Sequence, residues 1–369
     1  MIRDFLQKRK VGQLIRKEYA AITEQSVAVG FAFARAGVGG VRNHLESIKR
    51  HSQHNVCLFP EIELSRWALR NDGNAITRDA MNSIQLSDFG VVHSHVDPNF
   101  IKSCAAANQS GTPWIHTYHT LYFPEDWGGK LAPWQEEINR TLIQDASKAN
   151  VRISISYWLS ELLRREHGIE TEVIPNGVDT EKCDRARPVH ERAGYEHLDS
   201  YVLFSGSLAE VKNPRLFLDL ARRHPELEFV MIGKQLDREN VEPYYGKAVP
   251  SNVQLMGSVP HDTALSFTHS AAAVVVTSHS EGLPTAVMES MAMKGRVVAP
   301  DSFGCRDLIR HNKTGFLYQP GELDDLSDQL KIALANHTSG TAAREAIAQN
   351  FAWPVVVQQI DATYSNLLE

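Results

Sequence analysis

From Ser26 onward, short apolar runs alternate along the chain with stretches of helical periodicity. In the first half the runs Ser26–Phe33, Asn55–Phe59, Phe89–His93, Pro113–Tyr118, Val151–Ile155 and Thr171–Ile174 predict strands. Helical spacing between them predicts helices near Val41–Lys49, Pro98–Ala107, Gln135–Lys148 and Trp158–Glu166. Glu181–Ser200 is charged and poor in apolar residues, which predicts a linker. A second series follows, with strands at Tyr201–Ser205, Glu228–Ile232, Val253–Met256, Ala272–Thr277 and Arg296–Ala299. Its helices are expected near Pro214–Arg223, Asp262–His269, Pro284–Met293 and Asp324–Ala335. Such alternation predicts the α/β class: two doubly wound, Rossmann-like parallel sheets over residues 26–185 and 195–351, facing across a cleft. Ligands are then expected at the carboxyl ends of the strands, but this architecture hosts many reactions and names none.

The first 25 residues stand apart from this pattern. Arg3, Lys8, Arg9, Lys10, Arg16 and Lys17 outnumber Asp4 and Glu18, while Ile2, Phe5, Leu6, Val11, Leu14 and Ile15 recur at roughly helical spacing. Two readings compete: a peripheral contact with an anionic membrane, or a solvated helix packed on the domain surface. No apolar run is long enough to cross a bilayer, and the charged start lacks the apolar core of a signal peptide. The whole chain carries −6, which argues against nucleic acid as a partner. Its four cysteines, Cys57, Cys104, Cys183 and Cys305, form no Cys-x-x-Cys pair, so neither a zinc knuckle nor a disulfide framework is expected. A reduced, cytoplasmic protein follows, peripheral at the inner membrane face if the basic segment binds lipid.

The strongest candidate chemistry lies in Thr277-Ser-His-Ser-Glu-Gly-Leu-Pro-Thr-Ala-Val-Met-Glu289. A buried strand runs through a polar turn into a helix, whose first-turn amides and partial positive charge suit a phosphate. Gly282 allows close approach of a ligand to the backbone. Glu289 lies too far inside the helix to cap it; it either accepts from a pair of sugar hydroxyls or is a solvated glutamate. In Phe204-Ser-Gly-Ser-Leu-Ala-Glu-Val-Lys-Asn-Pro214, a strand ends at Gly206 and Lys212 precedes the next helix. Lys212 is either a point charge for a diphosphate or an ordinary surface lysine. Ala36-Gly-Val-Gly-Gly-Val41 falls short of Gly-x-Gly-x-x-Gly, so a dinucleotide site is weakly supported, though Gly39 and Gly40 still allow backbone amides to meet a ligand.

Four histidines cluster by strand order: His93 and His95 after one strand, His116 and His119 at the end of the next. They serve either as polar recognition of a substrate or as zinc ligands, and their uneven spacing disfavours the metal. No Gly-x-Ser-x-Gly elbow, Walker A loop or His-Glu-x-x-His is present.

Taken in order, these residues resemble a known family. Glu281 and Glu289 within SEGLPTAVMESMA, then Gly295-Arg-Val-Val-Ala and Gly304-Cys-Arg-Asp-Leu-Ile, are similar to the GT-B-fold, retaining nucleotide-sugar glycosyltransferases of family 4. Pro175-Asn-Gly-Val-Asp179, the Gly-Val-Gly-Gly loop, Lys212-Asn213, Thr314-Gly-Phe-Leu317 and Phe351-Ala-Trp353 support the resemblance, which spans Ser26 to the C-terminus. It implies that a last helix, residues 352–369, crosses back to the N-terminal domain. It also implies a hexosyltransferase-type reaction on a nucleotide diphosphate sugar, UDP-linked by preference and GDP-linked as the alternative, with a saccharide or lipid-linked acceptor. By the same resemblance Glu289 binds the donor ribose, and Glu281 with the amides of Gly282, Leu283, Pro284 and Thr285 faces sugar and diphosphate. Lys212 neutralises the leaving group beside Gly206, and His119 lines the sugar pocket. Gly39 and Gly40 close over the donor. On the acceptor side stand His93, His95, His116 and Tyr118. No metal and no other cofactor is implied; cationic groups and a helix terminus do the electrostatic work.

Three departures weigh on this expectation. Ser207 stands where an arginine is common, removing one diphosphate cation at a cost of roughly 1.5–3 kcal/mol unless Arg215, Arg296 or Arg306 replaces it. Asp307 stands where a glutamate is common, and 25 residues precede the first strand. The alternative function is a catalytically weak sugar-nucleotide-binding scaffold of the same fold.

Overall fold

A computed structural model describes residues 2–30, 40–71, 75, 76, 79 and 84–369. The chain divides into two compact units, one of residues 1–122, 131–176 and 353–369, the other of residues 123–130 and 177–352. Among the described residues each unit holds a six-stranded sheet.

In the first unit the strands are β1 (Ser26–Gly30), β2 (Asn55–Phe59), β3 (Val91–Ser94), β4 (Trp114–Tyr118), β5 (Val151–Ser154) and β6 (Glu172–Val173). They lie in the order β2-β1-β3-β4-β5-β6, and every pair is parallel. β1 and β4 are buried along their whole length, as sheets covered on both faces require. Helix Trp353–Leu368 lays Val356, Val357, Ile360 and Tyr364 on this sheet, in one core with Val27, Val29, Leu58 and Val91. The N-terminal helix, Ile2–Glu18, buries Val11 completely and leaves Leu6 exposed with Lys8, Arg9 and Lys10. Beyond it, the Tyr19 hydroxyl donates to the Leu58 carbonyl and accepts from the Glu61 amide, which ties the extension to the end of β2. No helix among the described residues is long and apolar enough to cross a membrane.

In the second unit β7 (Val202–Ser205), β8 (Phe229–Ile232), β9 (Val253–Gly257), β10 (Ala273–Val275), β11 (Val297–Pro300) and β12 (Phe316–Tyr318) take the order β12-β11-β10-β7-β8-β9, again parallel. The chain builds outward from β7 in one direction through β8 and β9, then returns to β10 on its other side. That reversal puts a topological switch point between β7 and β10, where the two following loops separate and leave a crevice.

The sequence reading needs correcting at Glu181–Ser200. This stretch is no free linker: helix Thr180–Asp184 and a short turn at Val189–Glu191 belong to the second unit. Val189 and Leu198 are fully or almost fully buried in one cluster with Leu203, Val230 and Phe267. Two well-placed apolar residues anchor the stretch in spite of its charge.

Candidate functional site

In the second unit, the loops after β7 and β10 meet at the switch point. The Thr277 hydroxyl lies 3.0 and 2.9 Å from the Lys212 and Asn213 carbonyls, and the His279 amide donates to the Val211 carbonyl at 2.8 Å. Asn213 adopts a left-handed conformation (φ 47°) and its side chain caps helix Pro214–Arg223. Lys212 is thereby held at the end of a short turn, with Nζ 2.6 Å from Glu281 Oε1. Ser278 Oγ donates to the same oxygen at 2.7 Å. Residues 69 apart in sequence thus form one charged pair because the topology brings their loops together.

The following helix, Thr285–Ala292, is preceded by Pro284, which supplies no side-chain cap. Its first-turn amides therefore receive no acceptor from that side chain. The Gly282 backbone is pressed against Gly304, where an added Cβ would lie 2.2 Å from the Gly282 carbonyl oxygen. The Gly304 amide donates to the Glu281 carbonyl at 3.0 Å, which closes the turn behind the carboxylate. Gly206 follows β7, with its amide bonded to the Ile232 carbonyl. Glu289, in the second turn of the helix, accepts from His261 Nε2 at 2.7 Å. Leu283 is buried and Thr285 opens the helix.

The cations considered as replacements for arginine at Ser207 are committed elsewhere. Arg215 bonds the Tyr245 carbonyl and lies over the Tyr244 ring, Arg296 bonds Ala272 and Asn336 carbonyls, and Arg306 pairs with Asp301. Lys234, missed in the sequence, is exposed at the end of β8, and its carbonyl accepts from the Leu208 amide, next to Ser207. Asp126 was also missed. It is nearly buried on the turn Pro124–Trp127 of the same unit, and desolvation holds its carboxyl above the usual range despite a Ser280 hydrogen bond. Neither residue sits in a motif; only the preceding Gly233, at a strand end, could have pointed to Lys234.

The first unit gathers histidines at the carboxyl ends of β3 and β4. His95 Nδ1 and His119 Nε2 are 2.9 Å apart, and His44, from helix Gly40–His51, packs edge-on against both rings. His44 Nδ1 is bonded to Asn176 Oδ1 at 2.8 Å. Sequence order missed His44 because it comes from a helix one crossover away. The other candidates turn inward. His93 is bonded by Tyr364 and Thr117, His116 by Ser94, and the Tyr118 hydroxyl donates to the Leu142 carbonyl. All three are fully buried, as is His95. Gly40 opens its helix, while Gly39 lies outside the described residues.

Burial deprives these imidazolium ions of water, pushing His44 down to about 4 and His116 to about 3, with His93, His95 and His119 well below the usual range. The rings are neutral at pH 7 and act as polar donors and acceptors. Ring nitrogens of His44, His95 and His119 lie within 4.8 Å of one another, so this trio, rather than the four foreseen, has the donor chemistry for a metal ion. The unfolded chain takes up protons below its ordinary histidine pKa of about 6.5, while the folded one does not. Stability is therefore complete above about pH 6.5 and falls as pH drops toward about 4. Calorimetric unfolding at pH 5 in buffers of differing ionisation enthalpy should show uptake of more than about one proton; no uptake would contradict neutral burial.

Comparison with known proteins places both units. The Glycosyltransferase Family 4 model matches residues 32–182, and the Glycosyl transferases group 1 model matches residues 190–351. A D-inositol 3-phosphate glycosyltransferase of Acidothermus cellulolyticus is 25% identical over 304 residues, covering 76% of this chain and 68% of its own. Among solved structures, Anabaena HepE in complex with UDP and glucose superposes with a TM-score of 0.72 at 17% identity, covering 93% of this chain and 100% of that one. A glycosyltransferase from Rickettsia africae gives 0.73 at 16% identity, over 94% and 99%. These structures share the GT-B fold.

Proposed function

Since the chain belongs to the glycosyltransferases, family 4 in its N-terminal half and group 1 in its C-terminal half, we propose that it transfers a hexose from UDP with retention at the anomeric carbon. The observation that carries the reading is the Lys212–Glu281 pair set beside the uncapped start of helix Thr285–Ala292. A diphosphate leaving group gains negative charge as the glycosidic C–O bond lengthens. A lysine and a helix N-terminus oriented beforehand stabilise that charge without reorganising. Glu281, held by Ser278, is then available to the sugar hydroxyls, and Glu289 to the ribose. UDP in the Anabaena complexes supports uridine as the base. The departing phosphate oxygen takes the acceptor's proton. With charge stabilisation supplied by Lys212 and backbone amides, no metal is needed. The acceptor is a saccharide or lipid-linked saccharide, reached from the cytoplasm.

Mass spectrometry of the purified protein with UDP-, GDP- and ADP-sugars, with and without chelator, tests the reading. Slow release of UDP from one preferred donor, unchanged by chelator, is expected, with a matching thermal shift. Loss of turnover on chelation, or preference for another base, would overturn the corresponding part.

A further inference from the structure

We propose that His261 is a positioning residue for the donor nucleotide, acting through Glu289; this rests on the reading of Glu289 as the ribose carboxylate. His261 opens helix His261–Ser270 and faces Glu289 on the neighbouring helix, with Nε2 2.7 Å from Oε1. On its other edge, Nδ1 lies 3.0 Å from Lys182 Nζ. Lys182 in turn pairs with Asp262 Oδ1 at 2.9 Å.

The Glu289 carboxylate raises the pKa of this imidazole, and in either charge state Nε2–H faces Glu289. An ammonium has donors only, so in the neutral ring Nδ1 is the acceptor toward Lys182 and the ring proton sits on Nε2. Nε2–H therefore donates to Glu289 Oε1 and pins the carboxylate, leaving Oε2 to accept from hydroxyls. Without that donor a glutamate side chain with several rotatable bonds must be ordered by the ligand itself, which weakens binding. Lys182 and Asp262 act behind the ring: they hold its orientation and do not meet the nucleotide. The groups charged or titratable around the imidazole are Glu289, Lys182, Asp262 and, beside Glu289, Cys183. The same chain of contacts runs between Lys182 in helix Thr180–Asp184 and the donor half-site, giving a purpose to a stretch that reads in sequence as a linker.

Ribose binding is made in ground state and transition state alike, so its loss raises KM for the donor and leaves kcat unchanged. The test measures binding of UDP by titration calorimetry to the full chain and to His261→Ala, His261→Gln, Glu289→Ala and the double variant His261→Ala with Glu289→Ala. His261→Ala should weaken UDP about tenfold, and His261→Gln, which keeps an N–H donor, should recover to within about threefold. With Glu289 already alanine, adding His261→Ala should change little, because a residue acting through another has nothing left to act on. Additive losses in the double variant, or UDP binding by His261→Ala equal to that of the parent, would overturn the proposal. Glu289→Ala binding as tightly as the parent would instead remove the ribose reading beneath it, and the donor screen would still report on sugar transfer.

Discussion

Lys212→Ala is expected to lower kcat/KM for sugar transfer by about 10²–10³, or roughly 2.7–4 kcal/mol of transition-state stabilisation. The size follows from where charge appears. Before bond cleavage the diphosphate already carries negative charge; during it the bridging oxygen gains more, and a nearby cation interacts most strongly at that moment. Lys212 is suited to this because its backbone is fixed through the Thr277 contact and its ammonium is only partly exposed. Removal also leaves Glu281 held by Ser278 without its ammonium partner, so some ground-state order is lost as well. Lys212→Arg should recover only part of the activity, since a planar fork cannot reproduce a compact point charge in the same place. Steady-state kinetics with the preferred donor would read both variants, beside thermal midpoints to separate folding from catalysis. A fall of less than about fivefold, far short of one electrostatic donor's usual worth, would transfer the leaving-group role to another cation. Lys234 is then the residue to replace, because it stands beside the position where Ser207 omits an arginine.

How far this site could be read in the sequence depended on whether each contact is local. Glu281, the open helix terminus and Lys212 lie within short strand–loop–helix segments, so spacing alone located them; the switch point then explains why they meet. His261 lies 28 residues from Glu289, and His44 lies 132 from Asn176. Those pairs depend on which helices pack together, which periodicity does not encode. The strands were legible for the same local reason: β1, β3, β4 and β8 are buried throughout, and continuous apolar runs mark them. Helices Ile62–Asn71, Arg238–Tyr245, Phe303–Leu308 and Ser339–Asn350 escaped the reading. Arg238–Tyr245 has an internal proline and buries only Val241 and Tyr245, while Phe303–Leu308 is barely longer than a turn and includes Gly304. Their stability comes from packing rather than from propensity, and packing is invisible one residue at a time. The histidines show the converse error. Strand order placed His93, His95, His116 and His119 near one another, yet it did not reveal which faced inward. His93, His95 and His116 are all fully buried, His93 and His95 with their rings 4.4 Å apart, and His44 packs against the rings of His95 and His119.

Gly233→Ala is expected to destabilise the second unit by about 4 kcal/mol or more, the range reserved for severe steric or packing damage. Gly233 follows β8 with φ 138°, a conformation that L side chains rarely adopt, and an added Cβ would stand 1.6 Å from the Gly206 carbonyl oxygen. Neither backbone is free to retreat. The Gly206 amide is bonded to Ile232 at 3.0 Å, the Gly233 amide to Gly257 at 2.7 Å, and the Gly233 carbonyl accepts from Leu236. A methyl group must therefore part the ends of β7, β8 and β9 together, breaking hydrogen bonds rather than displacing one flexible side chain. At about 2–4 °C per kcal/mol for a unit of this size, the thermal midpoint should fall by at least about 8 °C. Gly246→Ala is the matched control: its φ is 71°, but nothing lies within 4 Å of the added Cβ. Its cost should be only the conformational one, about 1–2 kcal/mol. Scanning calorimetry of both variants separates crowding from backbone preference, and equal losses would show that Gly206 and Gly233 do not approach so closely. The comparison also reaches function, because Gly206 opens the loop that ends in Lys212. A variant that folds at low temperature by pushing Gly206 aside should bind nucleotide with the Lys212 ammonium misplaced, and lose turnover more than affinity.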